Sequence, residues 1–529
     1  MASGTFYQQE LARKIAKEGE SVRWMILLGV AVAALLEVID TSITNVALPH
    51  IQGTLGATTS EAAWVVTAYS VANVITMPLA VMLGNLFGKK GYFIFSVIGF
   101  TVASMLCGFS TNLISLVLSR VLQGLFGGGL LAKAQAILFE SFPPAKQGIV
   151  QGVFGICVLV GPVLGPTLGG WLTDNYDWRW IFFINLPVGI LSTILCSMYL
   201  PRDEEIDKSK FSIDWTGIAT LSVFLGCLQY VLEKGQDDDW FSSKAIVTCS
   251  IASFLGFCYF LWHELRTKHP AVDLRIMRFK SVSVGLAFQS LIGFVLFGIS
   301  FVLPNFAQTM LGYTALQSGL LQVPSAIVSA VMFPIVGANS SKFDARVLVA
   351  CGLCLLGLSN GLLSKLTLFW GWNDFFVSSI LRGAGVVLVF LPLTLAALGD
   401  CPPEDLQTAS SLLSLSRTLG GSIGIAMIAT LLTRRADFHR AVLAEKVTPY
   451  STESMNRLAE LTQLFQQHGW SFIDAKQHAL SMMWKQITAQ AYVMSYADIG
   501  WLVTACILGS IPFCFLLTAG KRNAPVEVH

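Results

Sequence analysis

Two carboxylates stand where an apolar run should exclude them. Glu37 and Asp40 lie in LLEVIDTSITNVALPH (35–50), directly after an unbroken apolar stretch from Trp24 to Leu36. Three residues apart, they share one helix face. Charge at membrane depth is costly, and ionisable groups there face a bundle interior or a water-filled path. A carboxylic acid moved from water into an apolar setting holds its proton more tightly. Such a group can load a proton on one side of a membrane and release it on the other. Glu37 can tune Asp40 as a like charge, bind a cationic substrate, or act as a structural group bonded to Ser or Asn neighbours. Asp498, early in the last apolar run, either pairs with a cation or takes part in coupling.

Four cations occupy similar runs: Arg120, Lys133, Arg382 and Arg417. Arg120 is permanently charged and needs a carboxylate or several carbonyls. It is either a static lock between helices or part of proton coupling or substrate binding. Gln123 lies one turn away on the same face and can contact substrate. Lys133 snorkels to the surface, pairs with a carboxylate, or binds an anionic substrate. With Arg382, Arg417, Asn45 and Asn73, these residues form the expected substrate-binding set. Gly161, Gly165 and Gly169 recur every four residues, a spacing that lets two helices approach closely. Pro162 and Pro166 leave carbonyls unpaired and permit bending, so this stretch is the expected gate.

These side chains need membrane helices to position them. Of 529 residues, 54% are hydrophobic and 12% charged, with a mean hydropathy of +0.65. A soluble protein carries about a quarter charged residues, so the composition is that of a multi-pass membrane protein in contact with lipid. A net charge of +2 gives no sign of nucleic-acid binding. Fourteen apolar runs reach spanning length: 24–48, 61–84, 91–109, 112–139, 148–172, 180–200, 213–232, 245–263, 282–303, 315–337, 345–365, 373–398, 408–432 and 495–518. The even-numbered connections and the termini hold 19 of the 34 Lys and Arg, Lys208, Lys210, Lys521 and Arg522 among them. Basic residues concentrate on the cytoplasmic side, so both termini are expected there. Residues 433–494 form a long outer loop with at least two short amphipathic helices, and residues 6–23 an amphipathic surface helix. The eleven cysteines imply no disulfide framework, and the CxxC at Cys351 and Cys354 reads as helix packing. No metal site, nucleophile elbow or phosphate loop is present. An enzyme is excluded, no cofactor is expected, and transport must draw on a proton gradient.

The chain repeats itself. Pro49 matches Pro304 at an offset of 255; Gly124 matches Gly383, Pro143 and Pro144 match Pro402 and Pro403, and Gly161 matches Gly420 at 259. Helices 1–5 thus map onto helices 9–13. The expected domains are a cytoplasmic segment 1–23, a six-helix bundle 24–200, a two-helix insert 201–281 and a second six-helix bundle 282–529. Parallel repeats of this kind rock around a central site.

VIDTSITNVALP (38–49), RVLQG (120–124), GPVLGPTLGG (161–170), WRWIFFINLPVG (178–189) and SLSRTLGGSIG (414–424) together resemble the fourteen-helix drug:proton antiporters of the major facilitator superfamily, the EmrB-like group. The resemblance runs nearly end to end. It implies a major facilitator fold of 6 + 2 + 6 helices. It implies proton coupling at Asp40 and Arg120 and an antiporter motif at Gly161 to Gly170. It implies export of amphipathic drugs or toxins across a bacterial inner membrane, with a periplasmic adaptor protein and an outer-membrane channel as partners. Family members usually carry an aspartate where Gly88 stands, so the usual charge relay from that loop is missing. The four buried cations favour an alternative, a dedicated exporter of an organic anion such as a siderophore.

Overall fold

Hydrocarbon cannot hydrogen-bond a peptide group, so a spanning segment must satisfy its backbone internally. The computed structural model describes residues 2–203, 213–267, 270–340, 342–399, 401–402 and 405–517. Among these every apolar run falls on a helix or on two consecutive ones, and there is no strand. Lys208, Lys210, Pro403, Lys521 and Arg522 lie outside the described residues, as do parts of the expected insert and of the second bundle.

The first half contains α1 (Ala2–Glu18), α2 (Ser21–Leu55), α3 (Thr59–Phe87), α4 (Lys89–Gly108) and α5 (Leu113–Gly127). It continues with α6 (Leu130–Ser141), α7 (Pro144–Asn175), α8 (Trp180–Phe183) and α9 (Asn185–Tyr199). The insert is α10 (Trp215–Lys234) and α11 (Lys244–Arg266). The second half holds α12 (Lys280–Thr309), α13 (Ala315–Leu320), α14 (Val323–Asn339), α15 (Ala345–Leu363) and α16 (Asp374–Gly399). It ends with α17 (Leu406–Lys446), α18 (Thr452–Gln467) and α19 (Phe472–Gly509). Among the described residues thirteen stretches, some covering two consecutive helices, are long and apolar enough to cross a membrane. The 32-residue α7 lies where the fifth run was predicted.

One apolar core belongs to the first half, built from Val30, Ala34, Phe93, Phe100, Leu138 and their neighbours. Another belongs to the second, around Phe306, Phe333, Phe390 and Tyr496. A third joins the two halves to the insert through Met77, Leu225, Phe260 and Leu413. The end of the bundle carrying α1 is called the near end here. There Tyr7 on α1 hydrogen-bonds Ser141 at 2.7 Å, and the Lys14 ammonium donates to Met198 O at 2.6 Å.

Two glycine contacts set the positions of the functional helices. A Cβ on Gly165 of α7 would stand 1.9 Å from Ser42 Oγ and 2.9 Å from Ile43 N. The glycine face of α7 therefore lies directly on α2, the helix that carries both acids. A Cβ on Gly128 would stand 2.2 Å from Asn73 O. The run Gly127 to Gly129 presses the middle of the fourth span onto α3 and breaks it into α5 and α6.

The predicted outer loop at 433–494 is largely absent. α17 continues to Lys446 and α19 starts at Phe472, with α18 packed beside it. Residues 434–446 and 472–494 hold no Gly or Pro. Apolarity ends there but helix propensity does not, so the two spans project beyond the bundle.

The α7–α2 contact makes a test. Overpacking a close contact costs about 1–3 kcal/mol, so Gly165→Val should lower the unfolding temperature of the purified protein. Gly53→Val, on the same α2 with nothing within 4 Å of its Cβ, should leave it unchanged. Equal melting of the two variants would refute the close packing of α7 on α2.

Candidate functional site

Asp40 is fully buried in α2. Its Oδ2 accepts from Arg120 Nη1 at 2.5 Å, and its Oδ1 accepts from Gln123 Nε2 at 2.7 Å and Asn185 Nδ2 at 3.0 Å. Arg120 and Gln123 stand one turn apart on α5, and Arg120 Nη1 also donates to Gln123 Oε1 at 2.7 Å. Arg120 Nε donates to Val65 O at 3.0 Å, and its guanidinium lies 4.1 Å from the Tyr69 ring centroid. Both oxygens of the acid thus accept hydrogen bonds. The cation has a carboxylate, a carbonyl and an aromatic face, as a buried guanidinium requires. The sequence reading put Gln123 in the substrate set; the structure places it in the acid's own shell.

Glu37 makes a second network, which meets the first at Tyr69, whose hydroxyl accepts from Asn73 Nδ2 at 3.4 Å. Its Oε1 accepts from Asn73 Nδ2 at 3.1 Å, and its Oε2 accepts from the backbone N–H of Leu131 at 3.0 Å. Leu131 is the second residue of α6. The first N–H groups of a helix have no partner within it, so Glu37 caps a helix that starts inside the bundle. Asn73 is a ligand of Glu37 here.

The other cations have no carboxylate within ion-pair distance among the described residues. Arg382, buried, has only Ser325 Oγ at 3.4 Å from its Nε. Arg417, also buried, contacts Ser414 Oγ at 3.2 Å and stands 5.3 Å from the Phe390 ring centroid. Glu37, across the interface between halves, is the acid that acts on Arg417 electrostatically. Lys133 is 2% exposed and its Nζ has no hydrogen bond, lying 3.3 Å from the Tyr92 ring centroid. Snorkelling to water is thereby excluded in this conformation. A Cβ on Gly84 would meet Lys133 Nζ at 2.6 Å and Gln407 Nε2 at 2.9 Å, so the ammonium is enclosed by α3, α4 and α17.

Asp498 lies apart. It pairs with Arg435 at 2.6 Å and His439 at 2.7 Å, both on α17, and none of its contacts is with Glu37 or Asp40. Asn45 is exposed and its amide bonds Thr41 O of its own helix at 3.2 Å. Pro162 and Pro166 lie within a continuous α7.

Sequence reasoning missed three participants. Asn185 is the only side-chain amide between Trp180 and Ser192, and its amide also reaches Ser104 Oγ at 2.9 Å. Tyr69 gave no signal beyond its aromaticity. Asp203 takes up the place of the loop aspartate. Gly88 has φ +84°, and a Cβ there would stand 2.2 Å from Asp203 Oδ2. The two oxygens of Asp203 accept from the N–H groups of Lys90 and Gly91, each at 2.9 Å. The turn before α4 is capped by a carboxylate delivered from the end of α9.

The fold and the buried charges define a helical membrane transporter of two repeated halves. A family model described as the Major Facilitator Superfamily matches residues 30–425, and the chain belongs to that family. It is 34% identical to the multidrug export protein EmrB of Escherichia coli K12, over 92% of this chain and 93% of that one. It is 34% identical to the fatty acid resistance protein FarB of Neisseria gonorrhoeae, over 94% and 96%. Among solved structures, the crystal structure of a peptide transporter, POT, matches 93% of this chain and 95% of its own at 14% identity, with a TM-score of 0.55. Within the superfamily this chain belongs with the EmrB-like transporters; it is a multi-pass inner-membrane protein and not an enzyme.

The ion pair carries a stability test. Breaking a buried pair by removing one partner costs about 3–5 kcal/mol, whereas replacing both partners is far milder. Arg120→Leu should destabilise the purified protein strongly, and Arg120→Leu with Asp40→Asn should recover much of the loss. Additive losses in denaturant unfolding would mean that the two groups are not coupled.

Proposed function

We propose that this protein is a proton-coupled antiporter that exports amphipathic small molecules across the inner membrane. The observation that carries this reading is Asp40: an acid with no exposure, held by one cation and two amides at the middle of a transporter. Protonating it removes the charge that fixes Arg120 and Gln123, so the helices α2 and α5 can rearrange. Releasing the proton on the other side restores the pair. Coupling to a gradient fits a chain without a nucleotide-binding loop. The relatives named for multidrug export support small molecules as cargo.

The substrate's charge has its own support. By the repeat, Glu37 and Asp40 match Ile292 and Val295 in the second half. That half therefore keeps Arg382 and Arg417 but has no acid at the equivalent sites. Unpaired guanidinium groups are costly at depth, and an anionic headgroup would compensate them. Export of an amphipathic organic anion is the second reading, and a fatty-acid resistance protein among the relatives agrees with it.

The projecting hairpin fits a partner. α18 and the extensions of α17 and α19 expose Phe438, Met455, Phe472, Ile473, Leu480 and Trp484. Exposed apolar groups of this kind mark interaction surfaces. We assign this face to a periplasmic adaptor protein that leads to an outer-membrane channel.

Inverted vesicles test the coupling. Asp40→Asn should reach the membrane but lose substrate-driven proton movement; undiminished movement would sink the antiport reading. Arg417→Gln should lower transport of anionic substrates about tenfold or more, the loss expected for one charged hydrogen-bonding partner, while neutral ones change little. Equal losses for both classes would remove the anion reading. For the hairpin, residues 434–490 can be replaced by a short Gly/Ser linker. Vesicle transport should survive while whole-cell export collapses. Loss of both, with normal folding, would place the hairpin in the transport cycle instead.

A further inference from the structure

We propose that Glu37 is a latch that holds the near-end gate shut while it is ionised and opens it when it takes up a proton. This rests on the proton-coupled reading and adds to it a second acid with a mechanical task.

The gate is made by α6. At the near end Ser410 Oγ of α17 stands 2.8 Å from Ala132 O and 3.2 Å from Gln135 Oε1, both on α6. Lys133, between them in sequence, is enclosed against Gln407 and Tyr92. Alongside, a Cβ on Gly148 would stand 2.2 Å from Gly337 O, so α7 and α14 also close on each other there. The two halves thus meet here where α6 lies on α17 and α7 on α14, beside further contacts of α3 with α17 and of α7 with α13.

The movable part of α6 is its start. The rest packs in the first-half core through Ala134, Ile137 and Leu138, and its C-terminal end is held by Tyr7 on Ser141 and Lys89 on Glu140, each at 2.7 Å. Gly128 and Gly129 separate the helix from α5, which carries Arg120. What ties it to the bundle at its start is Glu37, whose Oε2 accepts from Leu131 N–H while Asn73 holds Oε1. An ionised carboxylate accepting from a helix's first turn makes a charge-assisted bond and meets the positive end of the helix dipole. A protonated acid loses both terms. The groups that act on Glu37 from the elements around it are Asp40 on its own helix, Tyr69 on α3 and Arg417 on α17.

The direction suits exchange. With the near end closed and Glu37 ionised, the site can take a proton from the far side. Protonation releases the start of α6 and opens the near end, where the proton leaves and substrate enters. Reionisation closes the helix behind the cargo. Proton and substrate then occupy the molecule in turn. An acid that latched the gate only when protonated would drive the cycle the other way.

The test uses the full chain in proteoliposomes with Ser410→Cys as reporter. Ser410 is fully buried where α17 meets α6. Maleimide labelling at position 410 is read by mass spectrometry, relative to a free cysteine peptide in the same tube. Glu37→Gln keeps the size and loses the charge. Leu131→Pro keeps the charge and removes the donor, at the second position of α6, whose N–H has no partner within the helix. Each should speed labelling about ten- to a hundredfold at neutral pH, the factor expected for a hydrogen bond to a charged group. The double variant should be no faster than either. Acidification should speed labelling of the parent protein but not of Glu37→Gln. Labelling of Glu37→Gln at the parent rate overturns the latch, as does acid sensitivity that survives in it. If Glu37→Gln does not fold, parent-rate labelling of Leu131→Pro overturns the latch by itself. Should the latch fail while Asp40→Asn still abolishes coupled transport, antiport stands with Asp40 as its acid.

Discussion

The bond between Asp40 and Arg120 is the constraint around which the first half is arranged. Neither charge can stay at that depth alone. Each therefore demands polar neighbours, and the sequence supplies Gln123 from the same helix, Asn185 from α9 and the Val65 carbonyl from α3. Four helices are thereby held in register by one ion pair. The glycine face of α7 then packs against α2 at Val38, Ser42 and Ile43, on either side of Asp40.

The two halves answer the problem of buried charge differently. The first pairs its arginine and uses its second acid to cap a broken helix. The second has Val295 and Ile292 at the equivalent sites and leaves Arg382 and Arg417 with serine hydroxyls and an aromatic ring. A duplicated scaffold has thus become electrostatically lopsided: a paired charge and a capping acid on one side, positive charge without a carboxylate on the other. The interface between them is where Glu37 acts on Arg417.

Much of this was legible in the sequence, because the membrane makes periodicity and cost unambiguous. The apolar runs and the Gly/Pro offsets are direct readings of what hydrocarbon allows. Asp40 and Arg120 stood out because ionisable residues are rare in such runs. What was not legible depends on distance between helices. Glu37 binding the Leu131 N–H could not be foreseen, since a backbone donor leaves no trace in residue type. Asp203 filling the place of the absent loop aspartate is a contact between segments more than a hundred residues apart. The long ends of α17 and α19 were read as a loop because hydropathy reports where lipid stops, not where a helix does.

That last difference has a mechanical consequence. α17 has 41 residues, which at 1.5 Å per residue makes a rod about 60 Å long, roughly twice the hydrocarbon thickness of about 30 Å. Ser410, at the gate, and Lys446, beside α18, are near its opposite ends. A rod pivoting near its middle by about 10° displaces each tip by about 5 Å, in opposite senses. The helix is therefore long enough to act as a lever through the bilayer, so that a stroke at its Ser410 end is carried to whatever rests on its Lys446 end.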